Sequence, residues 1–397
     1  MLDIPLSHRA QSIKPSPTLA VTARAAELRS EGKDIIGLGA GEPDFDTPEH
    51  IKEAAIQALK KGQTKYTAVD GTADLKLAII NKFKRENDLI YNNNQILVSC
   101  GAKHSLYNLF QATLNPGDEI IIPAPYWVSY PDMAKLAGAE PVILKTTIED
   151  SFKITPDKLR GAISDRTRMV VFNSPSNPTG VSYSKEELAA LGEVLLDHRD
   201  ILIVTDDIYE HILWGQDKFI NIVNACPELY DQTVVVNGVS KAYSMTGWRI
   251  GYVGGPEDII KGMKKIQSQS TSNASSMAQA AAVAALDGDQ TYIKESTGIF
   301  KERHDFVLKS LQDIDGINCL ASEGTFYSFP DMNALIEKLD GISNDIELAE
   351  FFLEKAEVAM VPGSAFGAPG CMRISFATSM ENLEKSMERI KAALGGN

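Results

Sequence analysis

The sequence predicts an α/β fold: a mostly parallel sheet with helical crossovers, joined to a second and smaller domain. Three observations carry this expectation. Apolar runs of strand length at residues 95–99, 119–123, 169–173, 201–205, 233–236 and 250–254 are separated by turns and helical patterns. Several of these runs are apolar throughout instead of alternating, as strands covered on both faces are. A chain of 397 residues is also longer than one typical domain and can bury a large core.

Composition narrows the class of function. The formal net charge of −14 argues against nucleic acid and anionic membranes as partners. No apolar run approaches bilayer length, and Met1, Leu2 and Asp3 lack the basic-then-apolar layout of a signal peptide, so a cytoplasmic location is expected. Cys100, Cys226, Cys319 and Cys371 are widely spaced, with no CxxC pair and no matching histidine cluster. They predict neither a disulfide framework nor a metal site, and read as buried free thiols. An anionic substrate would need a locally basic site, for which Arg249, Arg373 and Lys103 are the candidates.

In chain order, a Pro/Ser-rich arm at residues 12–17 leads to a helical pattern at 19–28 that ends near Gly32. A short strand then runs into Gly37, Gly39 and Gly41. Pro43 and Pro48 follow where a dinucleotide-binding glycine motif requires a helix, so that motif is rejected. An amphipathic helix is predicted at 48–61. Tyr66 reads as a half-buried aromatic before Gly71 and a helix to about Arg85. The run 95–99 is followed by Gly101 and a helix to Thr113. The amides of Gly101, Ala102 and Lys103 should therefore face outward at the positive end of the helix dipole and form a phosphate site. Trp127 lies just past the strand 119–123, where open α/β sheets bind ligands. Its ring could stack on a flat ligand or simply pack in the core.

The strand 169–173 leads to SNPTG at 176–180, whose prolines and glycine present Asn177 in a fixed geometry. Ser184 and Glu187 form a capping box for the next helix. After 201–205 come Asp206, Asp207 and Tyr209, so a carboxylate sits at a strand's carboxyl end. Helices follow the strand 250–254 at 257–267, 275–286 and 290–311, the last long enough to bridge two domains. Strand patterns at 324–329, 359–361 and 372–376, with a helix at 346–354, complete the chain. Arg373 stands mid-strand among apolar residues; a cation there needs an anionic partner, and no sequence-local acid offers one.

The chain is organised around residues 239–251. Lys241 lies among hydroxyls and small residues, after one strand and before another. An amine held away from full solvation and near other cations loses preference for its charged form, so it can form a Schiff base with a carbonyl. Arg249 adds a planar fork of donors suited to a phosphate. A carbonyl and a phosphate on one ligand suggest pyridoxal 5′-phosphate.

Ser240-Lys241, the small-residue turn and GWRIGY at 247–252 resemble the lysine segment of the fold-type I, pyridoxal-phosphate-dependent aminotransferases of class I, in the bacterial-type aspartate aminotransferase branch. The resemblance spans essentially the whole chain, and the motifs SNPTG, DxxY, SK and the two arginines occur in family order. It implies a large domain at 48–295, with a seven-stranded sheet sandwiched by helices. It also implies a smaller α+β domain from both chain ends, with 1–47 as arm and part of that domain and 296–397 as the remainder.

The resemblance further implies a role for each matching residue. Lys241 would carry the cofactor as a Schiff base and move a proton as general base and acid. Asp206, three before Tyr209, would pair with the pyridine nitrogen, leaving Asp207 as a solvated acid. Asn177 and Tyr209 would bind the cofactor's phenolic oxygen, and Trp127 would stack on its ring. Gly101, Ala102, Lys103, Ser240 and Arg249 would hold its phosphate, with Tyr66 reaching the phosphate of a partner subunit in a homodimer. Arg373 would bind the substrate α-carboxylate beside Gly41, and Lys103 with Thr18 the distal carboxylate. The implied reaction transfers the amino group of L-aspartate to 2-oxoglutarate, with prephenate as a further acceptor. Another class I aminotransferase, a carbon–sulfur lyase on the same scaffold, and a pyridoxal-binding regulator are the alternatives; the last would need an added DNA-binding domain and a basic patch, for which this chain has neither the length nor the charge.

Overall fold

The architecture is set by which strands are apolar on both faces. In a computed structural model that describes residues 4–13, 15, 17–216 and 218–395, with the side chains of 17–19 outside that description, the strands are β1 (Ile36–Gly37), β2 (Ile96–Ser99), β3 (Glu119–Ala124), β4 (Glu140–Lys145), β5 (Thr167–Asn173), β6 (Leu202–Asp206), β7 (Thr233–Gly238), β8 (Gly251–Gly254), β9 (Tyr327–Ser328), β10 (Val358–Ala359), β11 (Val361–Pro362) and β12 (Met372–Ser375). The main sheet has seven strands in the order β2-β8-β7-β6-β5-β3-β4. Its neighbours are parallel except β8, which runs antiparallel to both β2 and β7. A mostly parallel seven-stranded sheet is therefore as expected.

Alternation along these strands feeds two cores. Leu97, Ile120, Ile122, Met169, Val171, Val204, Val234 and Val253 pack on one face against Leu106, Phe110, Met133, Ile260 and Met263 from helices. Their neighbours Val98, Ile121, Val170, Phe172, Ile203, Val235 and Tyr252 pack on the other against Leu75, Ile79, Phe83, Leu188, Leu191 and Ala281. Burial of both faces removes these strands from water, which is why they read as apolar runs. The capping box at Ser184 and Glu187 opens the helix Lys185–Leu196 as its spacing predicts.

Beyond β8, the helices Glu257–Ser268, Ser276–Asp287 and Thr291–Gln312 follow within a residue or two of expectation. A separate core gathers Phe300, Val307 and Leu311 of the long helix with Phe326, Leu348, Phe352, Met372, Ile374 and Phe376. Ile36 and Leu38 from near the chain's start join it, because β1 pairs in parallel with β10. β11, β12 and β9 form a small antiparallel sheet here.

The sequence reading does not mark β4 or the helices Ser129–Leu136, Pro156–Ala162 and Met380–Gly395. β4 is the edge strand of its sheet, and its central side chains are only partly covered, although Pro141–Leu144 form an apolar run like those of its neighbours. The strand expected over 324–329 is confined to Tyr327–Ser328. Thr325 has a positive φ of 65°, and Gly324 makes only an isolated bridge to Leu213.

Candidate active site

The carboxyl ends of β3, β5, β6 and β7 lie at one edge of the sheet, and the candidate residues leave from there. Asn173 and Asp206 are register partners at the ends of β5 and β6. The Asn173 amide donates to Asp206 O at 2.7 Å, and its Oδ1 accepts from the Asn177 backbone at 2.8 Å. One side chain thus ties the SNPTG loop to the strand that ends in the carboxylate. A cavity of about 450 Å³ opens at this edge. All the site residues expected from sequence line it except Gly101, Tyr66 and Thr18. The Thr18 side chain lies outside the described residues.

Lys241 follows β7 after a short turn, and its Nζ donates to the Gly41 carbonyl oxygen across the cavity. The rings of Tyr209 and Phe326 stand 5.8 and 5.9 Å from it. Burial, then the nearby Arg373 cation, push the amine down from its ordinary value to about 8, with Arg249 adding to the effect and Glu42 opposing it. Near neutral pH a usable fraction is therefore uncharged and nucleophilic.

Asp206 is buried, and burial raises its carboxyl to about 6. The hydroxyl of Tyr130 donates to its Oδ2 at 2.6 Å, whereas Oδ1 is buried with no partner. Such an acceptor, facing a cavity, is set for a donor that comes with a ligand. Asp207 is not the solvated acid expected: it is 1% exposed, accepts from Thr205 Oγ1 and from Asn221 Nδ2 at 2.9 Å, and is raised by burial to about 7. Successive residues alternate sides at the end of β6, so one carboxylate faces the cavity and the next enters the opposite core.

At the end of β2 the chain turns through Gly101, at φ 90°, into the helix Ala102–Thr113. A methyl group at Gly101 would overlap the Arg249 guanidinium, so close approach demands glycine. The Gly101 N–H turns back to Ser99 O at 2.8 Å, which corrects the expectation that this amide faces the ligand. The Ala102 and Lys103 amides open the helix, where no preceding turn supplies them with carbonyls. Arg249, in the left-handed region at φ 56°, donates to Thr246 O at 2.8 Å and Cys100 O at 3.3 Å while its side chain stays exposed toward the cavity. Ser240 is buried beside them.

Arg373, on β12, is 3% exposed and meets no acid among the described residues. It donates to Asn177 Oδ1 at 3.0 Å and Gly39 O at 2.7 Å, lies over the rings of Tyr327 and Phe366 at 4.5 and 4.9 Å, and keeps its Nε without a partner. Lys103 Nζ sits 4.9 Å from the Trp127 ring, and burial with the Arg249 charge lowers its amine. Tyr66 is 91% exposed, not half-buried.

Three participants escape the sequence reading: Asn173, Tyr130 and Tyr327, whose hydroxyl lies 3.0 Å from that of Tyr209. Tyr130 is 76 positions from Asp206 and Tyr327 is 118 from Tyr209, so no local pattern connects them. Asn173 carried a signal: it is the polar residue that ends the apolar run Met169–Phe172.

Residues 33–390 match the family described as aminotransferase class I and II. The chain is 61% identical to the aspartate/prephenate aminotransferase of Nitrosomonas europaea, over 98% of this chain and 99% of that one. It is 50% identical to the aspartate aminotransferase of Bacillus subtilis, over 97% and 98%. The crystal structure of the aspartate aminotransferase from Rhizobium meliloti superposes with a TM-score of 0.95 at 48% identity, covering 99% of each chain. That of Thermus thermophilus with maleate gives 0.93 at 43%, covering 98% and 100%. On sequence, fold and coverage alike, the chain belongs to the class I and II aminotransferases.

Proposed function

We propose that the protein binds pyridoxal 5′-phosphate in this cavity and transfers the amino group of L-aspartate to 2-oxoglutarate, with prephenate as a further amino acceptor. The similarity to aspartate and aspartate/prephenate aminotransferases supports the substrate class. The observation that carries the cofactor is the orphaned Oδ1 of Asp206, buried at one end of a cavity whose other polar groups suit an aldehyde and a phosphate. When bound, pyridoxal phosphate supplies a carbonyl that condenses with amines and a ring that accepts electrons from the substrate α-carbon.

The chain's residues divide that work. Lys241 offers the amine that holds the aldehyde and, once displaced, takes a proton from the substrate α-carbon and returns one. Asp206 keeps the ring nitrogen protonated. Tyr209 and Asn177 supply donors for the phenolic oxygen, since the Asn177 oxygen is already engaged by Arg373 and its amide is left to donate. Trp127 covers the ring. The Ala102 and Lys103 amides, Ser240 and Arg249 bind the phosphate at a helix N-terminus, with Gly101 letting Arg249 approach. Arg373 takes the substrate α-carboxylate with Gly41 beside it, and Lys103 with Thr18 the distal one. In a homodimer Tyr66 would reach the partner's phosphate group; its 91% exposure in the single chain supports that reading. Residues 1–47, 48–295 and 296–397 are read as arm, large domain and small domain, a division supported by a cavity lined both by Asn173, Asp206 and Lys241 and by Tyr327 and Arg373.

The test is absorbance. Adding pyridoxal phosphate should produce a visible band in the wild type that Lys241→Ala lacks, and adding aspartate should bleach the wild-type band. An unchanged spectrum in Lys241→Ala would refute the assignment.

A further inference from the structure

Asp206 ends β6 and Trp127 lies in the turn after β3, 79 positions apart, yet a single side chain touches both. Tyr130, in the first turn of the helix Ser129–Leu136, donates a hydrogen bond from its hydroxyl to Asp206 Oδ2 at 2.6 Å. Its ring meets the Trp127 ring edge-on, with centroids 5.3 Å apart and planes at 81°. The phenol is 2% exposed. We propose that Tyr130 is a positioning residue for the cofactor ring: its hydroxyl engages one oxygen of Asp206 so that the other is left for the ring nitrogen, and its ring edge sets the plane of Trp127.

The physical argument starts from the symmetry of a carboxylate. Two equivalent oxygens can swap by rotation about the last side-chain bond, and a ligand's N–H would then meet either one at varied angles. A charge-assisted O–H bond to Oδ2 removes that freedom before any ligand arrives. It leaves Oδ1 as the only acceptor of the pair without a partner. The bond also favours the ionised carboxylate against the burial that opposes it. The other titratable groups facing Asp206 are Lys241, which follows β7 and also favours its charge, and Tyr209, from its own segment; Asp207 turns into the opposite core. The Ile208 backbone also favours the ionised form. Of these, Tyr130 alone also contacts the tryptophan, so the ring's nitrogen and its face are aligned by one phenol.

This inference rests on the cofactor reading above, and the experiment separates the two. Apoprotein is titrated with pyridoxal phosphate from pH 5 to 8, following tryptophan fluorescence and the visible band, for the wild type, Tyr130→Phe, Asp206→Asn and the double variant. Tyr130→Phe should still form the band but bind about tenfold more weakly at pH 7. The acid limb of its binding should move up by about one pH unit, because the carboxylate has lost a donor. Tyr130→His, which keeps an N–H donor, should recover part of that shift. In the Asp206→Asn background Tyr130→Phe should move nothing in pH, since no carboxyl remains to titrate.

Three results would overturn the inference. Wild-type affinity and acid limb in Tyr130→Phe would do so alone, leaving the cofactor reading intact. A pH shift as large in the Asp206→Asn background would show that the phenol acts by packing only. A wild-type protein that takes up no pyridoxal phosphate would remove both readings together. Should Tyr130→Phe not fold, the Tyr130→His profile decides, a limb moved by less than about one unit supporting the donor role and one moved by a full unit or more opposing it.

Discussion

Arg373 donates to the side-chain oxygen of Asn177 at 3.0 Å, so this strongly buried guanidinium at the cavity is held by an amide and a carbonyl and meets no carboxylate among the described residues. A cation buried among Tyr327 and Phe366 with neutral acceptors alone lacks a counter-charge, which an entering carboxylate would supply. Arg373→Lys removes the planar fork while keeping the charge. It should raise KM for aspartate and 2-oxoglutarate by about 100-fold, roughly two bidentate-quality hydrogen bonds, and leave pyridoxal phosphate uptake unchanged. Steady-state kinetics beside an absorbance titration check both halves; equal loss of cofactor and substrate binding would count against the role.

Lys103 carries the choice of a dicarboxylate. Its amine hangs over Trp127, and its charge is opposed by burial and by Arg249, so a second anionic group would relieve it. Lys103→Ala should reduce kcat/KM for aspartate by about 10- to 100-fold while changing that for alanine or an aromatic amino acid by less than about threefold, since only the distal carboxylate contact is removed. If aspartate turnover persists and an aromatic donor proves better, dicarboxylate specificity fails.

Much of this arrangement could be read from the sequence because its parts are local. An apolar strand that ends in a polar residue announces the edge where ligands bind, and Asn177, Asp206, Tyr209 and Lys241 each follow such a run directly. Arg373 could be read as a charge in the wrong place. Tyr130 and Tyr327 could not: an aromatic in a helix or short strand looks like core, and only tertiary packing turns the hydroxyl toward Asp206 or Tyr209. Asp207 failed for the same reason, because its hydrogen-bond partner Asn221 lies 14 positions on and burial of an acid leaves no trace in composition. β4 was legible, though the sequence reading omits it: Val142, Ile143 and Leu144 form an apolar run between Glu140 and Lys145.

Titration of the site should appear in the stability of the protein without cofactor. Asp206 in the folded chain holds its proton up to about pH 6, against 3.8 ordinarily. The folded state thus binds more protons between those values, and stability present at pH 4 is lost as pH rises through 6. Asp207, raised to about 7, extends the same trend. Lys241 runs the other way: lowered from 10.5 to about 8, it lets the unfolded chain bind more protons in that window, so stability is gained as pH rises from 8 to 10.5. Urea melts across pH should show both slopes. Asp206→Asn should remove the part ending near 6, on the order of 3 kcal/mol, and Lys241→Met should flatten the alkaline limb. A slope unchanged in either variant would contradict the assigned group.

The phosphate corner rests on Gly251, at the start of β8, which pairs with both Ser99 and Gly238. A methyl there would run into the Ala102 nitrogen and the Gly101 carbonyl carbon, both backbone atoms that no side-chain rotation can move aside. Either β8 or the first turn of the helix Ala102–Thr113 must shift, and the helix start is the freer of the two because its first amides have no carbonyl partners. Gly251→Ala should therefore cost about 1–3 kcal/mol of stability and weaken pyridoxal phosphate binding at least tenfold. Pyridoxal without its phosphate should bind Lys241 as in the wild type, because the lysine's own surroundings are untouched. Comparing the two ligands by absorbance isolates the corner: equal losses for both would place the damage at the lysine, and wild-type affinity for the phosphate form would show that the helix amides hold no anion.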